Sequence, residues 1–144
     1  MTVVAWDGKT LAADKRGDAG GLQRTTTKIF RFDGGLFGSA GSASRGAELF
    51  AWICAGANPD TVPAFQLSLE EYQSAMVVRS DGTVWLYGCS GHPFRMEDQF
   101  HAIGSGRDFA IAAMHLGRTA AQAVEVATLF ETGCGNGIDT LELG

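Results

Sequence analysis

No stretch of the chain approaches the roughly 18 consecutive apolar residues that a membrane-spanning helix needs. Its opening residues, Met-Thr-Val-Val-Ala-Trp-Asp, carry neither a basic leader nor a long apolar segment. These two absences predict a protein that engages no membrane and stays in the cytoplasm. Cysteine is scarce too: Cys54, Cys89 and Cys134 are an odd set with no Cys-x-x-Cys pair, each flanked by small or apolar residues. Such thiols argue against a disulfide framework and a zinc site, so neither metal nor other cofactor is expected. Positive charge is in deficit, with eleven Lys and Arg against sixteen Asp and Glu for a formal net charge of -5. The basic residues are scattered rather than striped, so nucleic acid is not an expected partner. Repeats, linkers and low-complexity tracts are missing as well. With 144 residues, 45% of them hydrophobic, positions 1–144 should form one domain whose core needs no staple.

Hydrophobic periodicity divides the chain into short elements. Positions 2–6 are a β-branched run, Asp7-Gly8 is a two-residue hairpin signal, and positions 9–14 return as a second strand. Positions 16–21 are polar and Gly-rich, as a loop would be. Positions 25–32 then alternate as a third strand with Lys28 in its middle, and Asp33-Gly34-Gly35 turns into a fourth over 36–40. From Ser42 the period becomes helical. Ala43, Ala47, Leu49, Phe50, Ile53, Cys54 and Ala57 form one wide apolar stripe that stops at Asn58-Pro59, with Trp52 off its centre. A weakly helical piece around 68–74 leads into a second hairpin, 75–79 and 83–88, about Asp81-Gly82. A brief strand at 100–103 runs into Gly104-Ser105-Gly106. Phe109, Ala110, Ala113 and Met114 then give helical spacing up to a Gly117 C-cap. Thr119 and Gln122 form a capping box for a last helix that should bury Ala120, Ala123, Val124, Ala127 and Phe130, and 138–143 closes the chain as a strand. This order predicts an α+β fold: two antiparallel sheets stacked face to face, with helices on their outer faces.

The chemistry begins with Thr2. Methionine is readily clipped before a small residue, which would leave Thr2 with a hydroxyl and a free α-amine. An amine titrating at about 7.7–8.0 can take the hydroxyl proton at neutral pH, so one residue supplies nucleophile and base. An antiparallel hairpin about Asp7-Gly8 brings Asp14 back beside Thr2. Lys28, on a strand face shared with aromatic side chains, should be partly desolvated and in need of a carboxylate partner such as Asp14. A cation there would favour a developing Thr2 alkoxide. Taken alone, Asp14 and Lys28 equally describe an ordinary sheet-face ion pair. Gly38-Ser39-Ala40-Gly41-Ser42 lies at a strand-to-helix junction, where backbone N–H groups can hold a negative oxygen or simply make a tight turn. Gly104-Ser105-Gly106 is a second such junction, with a hydroxyl placed to relay a proton or hold the α-amine. His92, His101 and His115 adjoin no nucleophile motif and read as structural or surface groups, and Cys89 lacks the electropositive setting of a reactive thiol.

Five segments, Thr2-Val3-Val4-Ala5, Ala12-Ala13-Asp14-Lys15-Arg16, Thr27-Lys28-Ile29, Phe37-Gly38-Ser39-Ala40-Gly41 and Ala102-Ile103-Gly104-Ser105-Gly106, resemble in order the successive motifs of proteasome β-subunits. They resemble still more the peptidase subunit of the bacterial HslV protease and its bacterial or phage homologues, which are N-terminal-nucleophile (Ntn) hydrolases. The resemblance implies a four-layer αββα sandwich assembling into a homo-oligomeric ring or double ring around an inner chamber, with polypeptide as substrate and an ATP-dependent unfoldase as a further partner. By position, Thr2 matches the nucleophile, Asp14 and Lys28 the charged pair beside it, Gly41 the oxyanion donor and Ser105 the serine near the α-amine. Arg16 matches a basic residue following the aspartate, and Glu131 a late acidic residue. The chain is shorter than typical members between Gly56 and Ser74, where the family has a longer second helix. The expected function is that of an N-terminal threonine peptidase acting through Thr2 once Met1 is removed. The alternatives are an inactive scaffold subunit that keeps the fold and an Ntn amidohydrolase acting on small amides.

Overall fold

A computed structural model describes residues 1–69 and 73–144. Among the described residues eleven strands and three α-helices follow one another as β1 (Val4–Trp6), β2 (Thr10–Asp14), β3 (Arg16–Ala19), β4 (Leu22–Thr25), β5 (Ile29–Phe32), β6 (Gly35–Ala40), α1 (Ala43–Cys54), β7 (Ser74–Arg79), β8 (Val84–Tyr87), β9 (Phe94–Met96), β10 (His101–Ile103), α2 (Arg107–His115), α3 (Ala120–Phe130) and β11 (Ile138–Glu142). One antiparallel sheet has the order β10-β1-β2-β11, and a second is the meander β5-β6-β7-β8-β9.

The alternation of side chains along a strand makes this a four-layer αββα sandwich. Val4, Trp6, Leu11 and Ala13 point from the first sheet into the layer between sheets, where they meet Leu36, Met76 and Val78 of the second. Their chain neighbours Val3, Ala5 and Ala12 point the other way, against Ala110, Met114, Ala123, Val124 and Ala127 of α2 and α3. On the far side Phe37, Ala75, Val77 and Tyr87 of the second sheet receive Leu49, Trp52 and Ile53 of α1. Because β1 is covered on both faces, all three of its residues are apolar and buried. The Thr119–Gln122 capping box is formed in full.

Several local expectations are corrected. The first hairpin does not turn in two residues: Trp6 pairs with Leu11, so four residues, 7–10, lie between the last paired positions of β1 and β2. Asp7 builds it, its Oδ1 accepting from Lys9 and Thr10 N–H while Oδ2 accepts from Ala120 N–H at the start of α3. The polar stretch expected as a loop forms strand β3, which pairs with β4 about Gly20-Gly21 in a hairpin standing apart from both sheets. In α1 the buried face is Gly46, Leu49, Trp52 and Ile53, so Trp52 is central while Ala47 and Cys54 face solvent. The indole Nε1–H anchors Trp52 by donating to Asn58 O at 2.9 Å. Phe130 is 64% exposed, stacked on Phe109 rather than buried. The weak helical piece expected around 68–74 falls partly outside the described residues; the helical turns lie earlier, as 3-10 turns at Pro59–Thr61 and Ala64–Leu67. Strand β9 follows His92-Pro93 and went unforeseen.

His101 is buried in β10, opposite Trp6. Burial lowers its pKa below the ordinary 6.5, against a smaller upward pull from Asp98. The folded state therefore prefers the neutral imidazole, whereas the unfolded chain protonates near 6.5. The stability this contributes is complete above about pH 6.5 and is lost as pH falls toward the lowered folded value, at up to about 1.4 kcal/mol per pH unit. Thermal melts of wild type and His101→Gln between pH 7.5 and 5 should show the steeper loss in wild type.

Candidate active site

The site forms where the first strand begins. The β1–β2 register, Val4 opposite Ala13, sets Val3 beside Asp14, whose N–H donates to Val3 O at 3.2 Å. The Asp14 side chain is fully buried and saturated with donors. Val3 N–H (3.0 Å) and Lys28 Nζ (2.8 Å) reach Oδ1, and Arg16 N–H (3.2 Å) and Gly135 N–H (3.0 Å) reach Oδ2. Three amides and an ammonium thus replace the hydrogen bonds to water that this carboxylate gives up on burial.

Lys28 precedes β5 and is 9% exposed, its side chain turned into the sandwich mouth. Besides Asp14, its ammonium donates to Thr2 Oγ at 3.3 Å and Met1 O at 3.0 Å. The structure thus places the three residues named from the sequence together, with Lys28 just before the strand rather than in its middle. Thr2 is 4% exposed. Its N–H donates to Ser105 Oγ at 3.2 Å, and Gly106 N–H donates to Thr2 O at 3.1 Å. Gly104 adopts φ +97°, and a Cβ there would fall 2.1 Å from Thr2 O, so only glycine lets the β10–α2 loop approach this closely.

Thr2, Lys28 and Gly41 line one cleft of about 640 Å³ with Ser39, Ser42 and the β3–β4 hairpin. Arg16 lines it too, but its guanidinium is tied away from Thr2, donating to Thr132 O at 2.6 Å and Asn136 Oδ1 at 3.1 Å. Glu131 ends α3 and accepts from Gly133 N–H at 3.0 Å, shaping the turn that delivers Gly135 to Asp14.

Two further groups, to which the sequence reading gives no place at the site, adjoin it. Cys134 lies buried behind Ser105, and burial, aided by the Asp14 charge, pushes its thiol up to about 11, against opposing pulls from Lys28 and a hydrogen bond with Ser105. It is a neutral wall of the site, not a nucleophile. Gln73, buried just before β7, bonds the backbone of Ser42 next to Gly41. A lone Cys or Gln gives no periodic signal by which its place could be read. Among the described residues no group of three His, Cys, Asp or Glu is placed to hold a metal, and no helix is long and apolar enough to cross a membrane.

No family model and no curated protein matches the chain. Solved structures do. Thiobacillus denitrificans BPH in complex with epoxomicin superposes with a TM-score of 0.72 at 19% identity, covering 100% of both chains. T. denitrificans BPH superposes at 0.68 and 20% identity, over 100% of this chain and 99% of that one. Eukaryotic HslV from Trypanosoma brucei superposes at 0.70 and 20% identity, over 98% of each. The chain has the Ntn-hydrolase fold. Within that class its architecture is the proteasome-like, HslV type.

Proposed function

We propose that this chain is a threonine-type endopeptidase that hydrolyses polypeptides by acyl transfer to Thr2, within a self-compartmentalising homo-oligomeric ring. One observation carries the reading: Thr2 Oγ stands 3.3 Å from a buried ammonium whose charge Asp14 balances at 2.8 Å, at the wall of an open cleft. Once Met1 is removed, the Thr2 nitrogen is an α-amine beside Ser105 Oγ, and the Lys28 N–H that now meets Met1 O is released toward the reaction centre. The amine accepts the hydroxyl proton as Oγ bonds to the substrate carbonyl carbon, and the oxyanion is received by Gly41 N–H. Lys28 favours the alkoxide as it develops. The α-ammonium then protonates the departing amine as the C–N bond breaks, and water cleaves the resulting ester to restore Thr2.

Leu116, Leu129 and Phe130 on the outer helical layer are 81%, 72% and 64% exposed, apolar surface of the kind subunit or unfoldase contacts cover. With Met1 retained, its carbonyl keeps its place on Lys28 and the same fold is an inert scaffold subunit. The test is intact mass before and after incubation with epoxomicin, the molecule held in the Thiobacillus BPH structure. The expected result is loss of the Met1 mass and a single adduct that maps to the peptide beginning at Thr2. A chain that retains Met1 and takes no adduct would identify the scaffold.

A further inference from the structure

The peptide that joins Gly41 to Ser42, next to the one that carries Gly41 N–H, is held by a pair of buried glutamines. Gln73 is 2% exposed and Gln66 fully buried. The Gln73 amide pairs with Ser42 as a neighbouring strand would: Ser42 N–H donates to Gln73 Oε1 at 3.0 Å, and Gln73 Nε2 donates to Ser42 O at 2.8 Å. Gln66 holds the Gln73 backbone in the same two-point manner. Gln73 N–H donates to Gln66 Oε1 at 3.1 Å, and Gln66 Nε2 donates to Gln73 O at 2.6 Å and also to Gly88 O.

Two glycines make room for this clamp. Gly41 has φ +129°, and a Cβ on it would fall 2.3 Å from Gln73 Oε1. A Cβ on Gly46, in the first turn of α1, would fall 3.3 Å from Gln73 Nε2 and 2.6 Å from Ser39 Oγ. Ser42 O also accepts from Gly46 N–H at 2.9 Å, so Ser42 is at once the N-cap of α1 and the partner of Gln73. A glycine is the most freely rotating residue in a chain, and an oxyanion donor must be held still to be useful. Gln73 resolves that conflict by fixing the residue next to the glycine.

We propose that Gln73, itself held by Gln66, is a positioning residue that, by fixing the adjoining Gly41–Ser42 peptide, sets the orientation of Gly41 N–H at the reaction centre. The inference rests on the threonine-peptidase reading for its kinetic consequence, but its geometric content stands apart from it. A buried amide is suited to this place because it presents one acceptor and one donor to the two sides of Ser42. A methionine of similar shape presents neither.

The experiment compares wild type, Gln73→Met, Gln66→Leu and Thr2→Ala on a peptide amide, with kcat expressed per site titrated by epoxomicin. Gln73→Met is expected to lower kcat per titrated site by about 10²-fold, the scale of losing an oxyanion donor, with KM unchanged; Gln66→Leu should act in the same direction and less. The Gly41 amide resonance of [15N]glycine-labelled protein should move in both. Fewer titratable sites with wild-type kcat at each would show a merely structural role and overturn the inference. So would an unmoved Gly41 resonance in folded Gln73→Met, whatever the turnover. Wild type no more active than Thr2→Ala would instead sink the peptidase reading, and the Gly41 resonance would then decide this proposal alone.

Discussion

Thr2→Ala is expected to reduce peptide-amide hydrolysis by about 10⁴-fold or more, since a nucleophile and its activating groups act as a unit and the loss of one forfeits most of the rate. Its fold should survive. The Thr2 hydroxyl meets Lys28 at 3.3 Å, yet Lys28 keeps Asp14 at 2.8 Å without it, so no charge is orphaned and the stability change should be about 1 kcal/mol. Alanine is as permissive as threonine for removal of Met1, so the two proteins differ by the side chain alone. Thr2→Ser, which restores a hydroxyl next to the same amine, should recover measurable turnover. Initial rates on a fluorogenic peptide amide, with thermal melts as the control for folding, check all three proteins. Equal rates for wild type and Thr2→Ala would exclude the threonine mechanism.

The parts of this site that were legible in the sequence are those set by strand register. A strand, a turn and a return strand place position 14 beside position 2 whatever the turn's detail, which is why reading Asp7-Gly8 as a two-residue turn did no harm to the placement of Asp14. Glycine-rich junctions after strands likewise announced Gly41 and Ser105, because close backbone approach restricts residue type, as Gly104 illustrates. The hairpin of β3 and β4 was not legible. Its residues are largely exposed, so no apolar alternation marks them, and its pairing depends on ties such as Thr26 N–H to Lys15 O at 2.8 Å and Asn136 Nδ2 to Arg24 O at 3.1 Å. Trp52 was misplaced because an apolar stripe was drawn through every apolar residue of α1. The buried face is Gly46, Leu49, Trp52 and Ile53, and at Gly46 the missing Cβ lets the helix close on Ser39 and Gln73. Gln66 and Gln73 were invisible for a related reason: buried polar residues follow no period, and only their partners explain them.

The Asp14–Lys28 pair should behave asymmetrically under mutation, and the asymmetry separates its structural from its catalytic share. Asp14→Ala leaves a buried ammonium uncompensated and deprives the N–H groups of Val3, Arg16 and Gly135 of their acceptor, so it should cost about 3–5 kcal/mol and all activity. Lys28→Met leaves Asp14 with those three amide donors, and the methionine fills similar space, so the cost should be nearer 1–3 kcal/mol, of the order of a lost charge-assisted hydrogen bond. Activity should nevertheless fall as far as in Asp14→Ala, because the cation beside Thr2 Oγ is gone. In the double variant no ammonium is stranded. Asp14→Ala should therefore cost less in the Lys28→Met background than in wild type, by about 0.5–3 kcal/mol of coupling. Urea unfolding of the four proteins measures the cycle, and peptide-amide turnover of the two single variants measures the chemistry. Strict additivity would mean the pair is not coupled through the buried contact seen at 2.8 Å. Full turnover in Lys28→Met would leave the α-amine and the oxyanion donor as the whole of the machinery.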